Sequence, residues 1–320
     1  VTDRKWITRN YREGDEQGIV DLWKLVFAEG EQERGELAYW YWQFRDNPAG
    51  PPKIRLAIDG DKVVGQYAVI PMNLQFMGKS VLATLSLDTM THPHYRRQGM
   101  FGTLANELYA DLGLNGMPVT YGFPNDNSLG GFVKKLQWTH ICSLPVYVKP
   151  LRLDVIAAQV ISNPGLSIFA KPLARATGAL AFRPGRLAEQ YKPNISWLDI
   201  FDERADDLWD QVYDPAKIAL VRNADYLNWR YFQNPSRDYR VISFTKDADL
   251  LGYVVLRCME QFGLRGGMIT DLIARPDRED VIQALLDAAS EYFSAQGMDL
   301  IACLSHGDAH LVNRLKHNTF

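Results

Sequence analysis

The chain has 320 residues, 47% hydrophobic and 23% charged, with a formal charge of −3, a globular composition that excludes disorder, collagen and coiled coil. The slight acidity gives no overall basic field for a nucleic acid, and no run approaches the roughly 20 apolar residues of a membrane span. Cys142, Cys258 and Cys303 are too scattered for a disulfide framework or a zinc site, so a cytoplasmic protein without a metal is expected. In chain order, Ile19, Leu22, Trp23, Val26 and Phe27 recur at helical spacing and predict an amphipathic helix from Asp15 to Glu29. Residues 54–58 and 63–70 are apolar strands around the turn Asp59-Gly60-Asp61-Lys62, and residues 81–91 form a further strand. A helix from Gly102 to Leu112, a strand from Val119 to Phe123 and a helix from Ser128 to Leu136 complete a mixed α/β module.

The module repeats. Asp21-Leu22-Trp23 returns as Asp207-Leu208-Trp209, an offset of 186, and Trp42 with Asn47-Pro48 returns as Trp229 with Asn234-Pro235, an offset of 187. Gly65 matches Gly252 at 187, and Asp88 with Pro93 matches Asp271 with Pro276 at 183. Four matches in one order predict two copies of one plan, each a central mixed β-sheet flanked by helices. The expected division is a first module over 1–150, a connector over 151–194 and a second module over 195–320. Residues 149–192 carry Lys149, Arg152, Lys171, Arg175, Arg183, Arg186 and Lys192 against Asp154 and Glu189. Those charges, with the apolar runs Val155-Ile156-Ala157-Ala158 and Leu166 to Ala170 and Pro164, Pro172, Pro184 and Pro193, read as a packed linker with a solvated basic face or as a phosphate or membrane-surface element. The second copy ends at Phe320, where the first continues through Ile141 to Val148 as a strand; it either lacks that strand, borrows one from the linker, or is cut short. Trp23 and Trp209 read as core, and the shared Trp-Asn-Pro pattern as a packing and turn motif.

The segment Thr91-His-Pro-His-Tyr-Arg96-Arg97-Gln98-Gly99-Met100-Phe101-Gly102-Thr103 runs from a strand into a helix. Its glycines allow a tight turn and close backbone approach, the new helix offers unpaired N–H groups at its positive end, and two arginines stand beside it. This combination suits a phosphate or pyrophosphate. His92 and His94 have no partner at metal-ligand spacing and read as surface loop residues, and the cysteines have no histidine partner for covalent catalysis.

The strand followed by Thr91-x-Pro93-x-Tyr95-Arg96-x-x-Gly99 resembles the acyl-CoA-binding motif of the GNAT superfamily of acetyl-CoA-dependent N-acyltransferases. The stretch Gly122-Phe-Pro-Asn125-Asp126-Asn127-Ser128, with Phe132 to Trp138 after it, resembles that family's second landmark, an Asn ahead of a helix. The resemblance covers the first module and extends more faintly over the second. It implies acetyl-CoA held by Thr89, Met90 and Thr91 on the strand and by Arg96, Arg97, Gln98, Gly99, Met100, Phe101, Gly102 and Thr103 in the loop and helix. Asn127 would contact the cofactor arm as the helix-start Asn, and an amide near Met90 would polarise the thioester carbonyl. Direct attack by a small-molecule amine acceptor follows, with Asp88 as a candidate general base. Asp271 takes the same place in the second copy, so a structural role for Asp88 stands beside the catalytic one.

Two departures from the family pattern stand out. Lys134 occupies the place of the tyrosine that protonates the leaving thiolate, so Tyr121, and less so Tyr147, becomes the candidate acid. Phe101 stands where the signature has Gly or Ala, with Gly102 one place later. An offset of 183 carried through the loop sets Glu279, Asp280 and Ile282 at the places of Arg96, Arg97 and Gly99, so the second copy is expected to lack the anion site. Tyr39, Tyr41 and Tyr67 are candidates for an aromatic acceptor cleft, and the basic connector suggests an acceptor such as a nucleotide-linked amino sugar. Rival readings are a CoA- or partner-binding protein without turnover, and an aminoacyl transferase of the peptidoglycan- or lipid-modifying type, whose tRNA donor would call for a broader basic surface.

Overall fold

The computed structural model describes residues 5–27, 32–162, 186–305, 309–318 and 320. The chain forms two compact units that interleave in sequence: Val1–Ile141 with Tyr213–Ser236, and Cys142–Val212 with Arg237–Phe320. The partition therefore differs from a linear cut at 150 and 194.

The first unit runs β1 (Ile7–Asn10), α1 (Glu16–Val26), a 3₁₀ turn (Gln32–Gly35), α2 (Leu37–Trp40) continuing as a π-helix (Tyr41–Arg45), β2 (Lys53–Asp59), β3 (Lys62–Phe76) and β4 (Lys79–Thr91). After a 3₁₀ turn at Pro93–Tyr95 come α3 (Met100–Leu114), β5 (Thr120–Tyr121) and α4 (Asp126–Leu136). The sheet has the order β1-β2-β3-β4-β5, antiparallel except for the parallel pair β4/β5. A two-residue strand from the later segment, β8 (Ala219–Leu220), pairs with β3. Alternation along β3 sends Ala68, Ile70 and Met72 toward α1 and α2, where Ile19, Trp23, Trp40 and Phe44 pack, and sends Tyr67 and Val69 toward Leu104 and Leu108 of α3 and Phe132 of α4. The expected strand at 63–70 extends to Phe76 and meets β4 through a turn at Met77 and Gly78, both at positive φ.

Trp42 and Trp229 sit in two short π-helices, Tyr41–Arg45 and Asn228–Phe232. Their rings stack at 5.2 Å, and each indole N–H donates to the other's carbonyl, at 2.6 and 2.7 Å. Asn47 and Asn234 each accept from the backbone N–H two residues on, closing matching turns. Trp23 and Trp209 are buried. These shared residues are packing and turn residues.

The second unit has the sheet order β6 (Val146–Pro150), β12 (Leu300–Leu304), β11 (Leu264–Ala274), β10 (Asp249–Gln261), β9 (Tyr239–Lys246), β7 (Ile195–Leu198). From β7 to β12 its connectivity repeats that of β1 to β5, again with one parallel pair, β11/β12. The irregularities repeat too. Val64 is an extra residue between β3 and β2, and Leu251 is its counterpart between β10 and β9. β4 bulges at Asp88 and Thr89, and β11 at Thr270. The strand expected to close the first module, Val146–Pro150, instead pairs antiparallel with β12 and fills the sixth place of the second sheet.

The described part of the connector belongs to this unit. α5 (Leu153–Ser162) buries Ile156 against Leu264, Leu300 and Ala302. Lys149 is buried in β6 with its ammonium 3.4 Å from Ser290 Oγ, so it does not belong to a solvated basic face. Lys171, Arg175, Arg183, the run Leu166 to Ala170, Pro164, Pro172 and Pro184 lie outside the described residues.

Candidate active site

The end of β4 and the start of α3 are built around one close contact. A Cβ on Gly65 of β3 would lie 2.1 Å from Met100 Sδ, so glycine there lets the first residue of α3 seat against the sheet. Met100 is 2% exposed. The His92 N–H donates to the Val64 carbonyl at 2.9 Å, which carries the chain from β4 into the loop. The loop is tied down at two places: the Tyr95 hydroxyl donates to Asp59 at 2.5 Å, and the Trp6 indole donates to the Gln98 side chain at 3.0 Å.

Between and beside those anchors the backbone curls. Arg97 has φ 62° and Gly99, the residue capping α3, has φ 78°. The two left-handed residues curl the chain into α3, whose first turn offers N–H groups that have no acceptor within the helix. The carbonyl of Gly99 accepts from the Thr103 N–H at 3.1 Å, so the helix proper begins there. Arg96 and Arg97 are exposed and take part in no ion pair among the described residues. Phe101 does not face the loop: its ring packs on Phe132 at 5.4 Å and Tyr67 at 5.9 Å, leaving its backbone at the helix start. Gly102 has open space where a Cβ would stand.

Beside the loop the sheet opens. β4 pairs with β5 only at Thr84↔Thr120 and Leu85↔Tyr121, so from Ser86 to Thr91 the β5 side of β4 carries no ladder. An unpaired strand edge of this kind accepts an extended ligand as an added strand. Thr89 Oγ1 is buried there without a hydrogen-bond partner, and Met90 is 1% exposed.

Residues 8–141 match the acetyltransferase (GNAT) domain family. Over that stretch the chain is similar to a GNAT domain. Its fold is shared with a conserved Enterococcus faecalis protein of unknown function, at TM-score 0.63 and 13% identity over 93% of this chain and 65% of that one. A GCN5-related N-acetyltransferase from Anabaena variabilis gives TM-score 0.63 and 14% identity over 96% and 68%, and Saccharomyces cerevisiae N-myristoyltransferase with bound myristoyl-CoA gives 0.62 and 10% over 98% and 76%. The chain thus spans about two thirds of the length of the first two. No curated protein matches the sequence.

Several residues of the GNAT unit stand where the sequence placed them, and several do not. The helix-start asparagine is Asn125, whose Oδ1 accepts from the Ser128 N–H at 3.1 Å; Asn127 lies inside the first turn of α4, exposed. Tyr67 has no exposed surface and cannot line an acceptor cleft. It belongs to a hydroxyl chain in the core, taking a bond from Ser86 Oγ at 3.1 Å and sharing one with Tyr109, which in turn accepts from the Trp138 indole at 2.9 Å. Burial pushes the Tyr67 phenol far above its ordinary value. Tyr39 is buried, its ring tilted against Trp42 at 5.0 Å, while Tyr41 is half-buried under the Arg45 guanidinium, 4.2 Å from its ring. Tyr121 is half-buried beside Leu85, and burial raises its phenol above the ordinary value.

Asp88 is held rather than free. Arg34 Nη2 donates to its Oδ1 at 2.7 Å, Gln43 Nε2 to its Oδ2 at 2.6 Å, and Gln66 Nε2 to its backbone carbonyl at 2.9 Å. These groups line a narrow cavity with Trp23, Tyr39, Trp40, Phe44 and Met90, about 10 Å³ when measured with a water-sized sphere, room for one water. Nothing in the sequence spacing links Arg34, on a 3₁₀ turn, to β4. The His92 and His94 rings lie 5.4 Å apart and tilted, with His92 Nδ1 accepting from the His94 N–H at 3.2 Å; burial lowers the basicity of His92. No cluster with metal-binding potential occurs among the described residues.

The second unit differs at the loop, by a register other than the expected one. The buried positions Met100, Leu104, Ala105, Leu108 and Leu112 recur at Val281, Leu285, Leu286, Ala289 and Phe293, an offset of 181. A Cβ on Gly252 would meet Val281 as one on Gly65 would meet Met100. The bond from His92 to Val64 recurs from Arg275 to Leu251, at 183. The second loop is therefore two residues shorter, and Asp280, not Ile282, stands in the place of Gly99. None of residues 275–282 has positive φ, Glu279 pairs with Arg314, and Asp280 pairs with Arg278 at 2.8 Å.

Proposed function

We propose that the protein transfers an acetyl group from acetyl-CoA to the amine of a small acceptor, with one donor site per chain, in the GNAT unit. The observation that carries this reading is the segment from Arg96 to Gly102: two unpaired arginines, two left-handed residues and a helix start converge beside an unpaired strand edge. The diphosphate of the donor would lie against Gln98, Gly99, Met100, Phe101 and Gly102, with Thr103 closing the turn, and Arg96 and Arg97 would add charge-assisted bonds. The pantetheine arm would run along Thr89, Met90 and Thr91 as an added strand, with Asn127 at the start of α4 nearby. The Met90 N–H would donate to the thioester oxygen as negative charge develops on it. The acceptor nitrogen forms its bond to the carbonyl carbon, the carbon–sulfur bond breaks, the ammonium proton leaves through water, and Tyr121 returns a proton to the thiolate.

Acceptor identity rests on chemistry alone: an amino sugar or another small amine supplies the nitrogen that direct attack on a thioester requires. A second reading, CoA binding without turnover, is favoured by one feature, the absence of any tyrosine from α4. Calorimetry with acetyl-CoA, followed by a free-thiol assay over a panel of amines, tests both. Binding with amine-dependent thiol release supports transfer, binding without release supports the second reading, and no binding removes both.

A further inference from the structure

We infer that Asp88 is a positioning residue: Arg34 and Gln43 clamp its carboxylate, and the clamp fixes the bulge of β4 that aims the Met90 N–H at the thioester oxygen. The inference rests on the proposed acyl-CoA reading and assigns roles that reading leaves open. Three elements distant in sequence converge on this one residue. The 3₁₀ turn after α1 supplies Arg34, the π-helix supplies Gln43 and β3 supplies Gln66, so both carboxylate oxygens and the carbonyl of Asp88 are engaged. Arg34 is itself fixed, its guanidinium 5.5 Å from the Tyr39 ring and 6.0 Å from Trp23.

Asp88 has φ 44°, in the left-handed region that few residues other than glycine adopt, and the clamp holds both its side chain and its carbonyl in that conformation. It stands in the bulge, where Asp88 and Thr89 interrupt the register between Gln66↔Met90 and Ala68↔Leu87. A bulge bends its strand and increases the local twist, so the direction of the Met90 N–H, in the residue just past it, depends on the conformation at Asp88. The counterpart Asp271 marks the difference. It lacks positive φ, its bulge falls one residue earlier, at Thr270, and it accepts from the Tyr253 hydroxyl at 3.4 Å.

The test reads the carbonyl itself and needs no acceptor. Wild-type protein, Arg34→Met, Gln43→Met and Asp88→Asn are each mixed with acetyl-CoA carrying ¹³C at the thioester carbonyl, and the bound carbonyl stretch is compared with that of the free donor by isotope-edited infrared spectroscopy. Affinity is measured separately by calorimetry. The expected result is a stretch lowered on binding to wild type, a shift reduced by at least half in Arg34→Met and in Gln43→Met with affinity within about threefold of wild type, and a shift largely kept in Asp88→Asn, whose Oδ1 accepts from Arg34 and whose Nδ2 donates to Gln43 Oε1 once that amide turns over. An unchanged shift in Arg34→Met and Gln43→Met overturns the inference, as does a wild-type donor that binds without any shift. Failure of wild type to bind acetyl-CoA overturns the function reading instead. Should Arg34→Met fail to fold by circular dichroism, Gln43→Met alone decides, because it leaves the Arg34–Asp88 pair in place.

Discussion

Alanine at Gly99 and alanine at Gly102 separate the backbone geometry of the loop from its packing. Neither Cβ would meet any atom within 4 Å, so neither substitution creates a clash, but Gly99 has φ 78° and Gly102 lies in ordinary helical backbone. An L-residue held in the left-handed region costs roughly 1 to 2 kcal/mol. In the free protein the loop of Gly99→Ala can relax and avoid that cost, and binding must then restore the curled form. At 1.4 kcal/mol per factor of ten, the donor is expected to bind roughly 5- to 30-fold more weakly. Gly102→Ala replaces a poor helix former inside α3 and is expected to stabilise it by about 0.5 to 1 kcal/mol, raising the melting temperature without altering the curl. The assay is calorimetric titration of acetyl-CoA into the two variants and wild type, with melting curves beside it. Equal affinity in wild type and Gly99→Ala would refute the reasoning, since the left-handed residue would then play no part in binding the donor.

Three further outcomes are expected. Arg96→Ala combined with Arg97→Ala weakens acetyl-CoA binding at low salt, and because exposed charges are screened, the loss shrinks as salt rises from 50 mM to 500 mM; parallel salt curves for variant and wild type would exclude both arginines from the anion site. In the second unit a Cβ on Gly267 would lie 2.4 Å from the buried Phe293 ring, so Gly267→Ala should destabilise by about 1 to 3 kcal/mol and be partly rescued by Phe293→Leu, both read from denaturant melts. Burial holds the Lys149 ammonium below its usual basicity, so between its folded value and about 10.5 the unfolded chain binds more protons and stability rises with pH. Lys149→Met lacks this dependence, and the stability of wild type relative to that variant should increase from pH 7 to pH 10; a constant difference would contradict it.

The strongest signals in the sequence were local or repeated. Helical spacing placed α1, and the turn at Asp59–Lys62 placed the β2–β3 hairpin. The offset of 187 anticipated two copies of one plan, and the structure adds matching extra residues at Val64 and Leu251. Where the reading missed, the deciding contact joins distant positions. The clamp on Asp88 brings in Arg34 and Gln43 across three elements, which spacing along the chain does not reveal. Tyr67 looked available because tyrosines often face ligands, but the alternation of β3 turns it into the core. The loop offset of 181 was hidden because a two-residue shortening leaves the flanking strand matches intact; the run of buried positions along α3 and the helix Glu279–Ala295, compared as sets, carries the signal. Asn125 was equally visible in sequence, since an Asn three residues before Ser128 can cap the helix, whereas Asn127 cannot cap a helix that already contains it. The exchange of Val146–Pro150 into the second sheet had a hint in the missing strand at the end of the second copy.

The central claim is that only one of two like units holds the acyl donor, and calorimetric titration of the full chain with acetyl-CoA tests it most directly. Arg96, Arg97 and Gly99 in the GNAT unit, against the shorter loop with Glu279 and Asp280 in the other, predict a stoichiometry of one donor per chain, abolished when Gly99→Ile is combined with Arg96→Glu. Two equivalents bound per chain, or one equivalent that survives those substitutions, would contradict it.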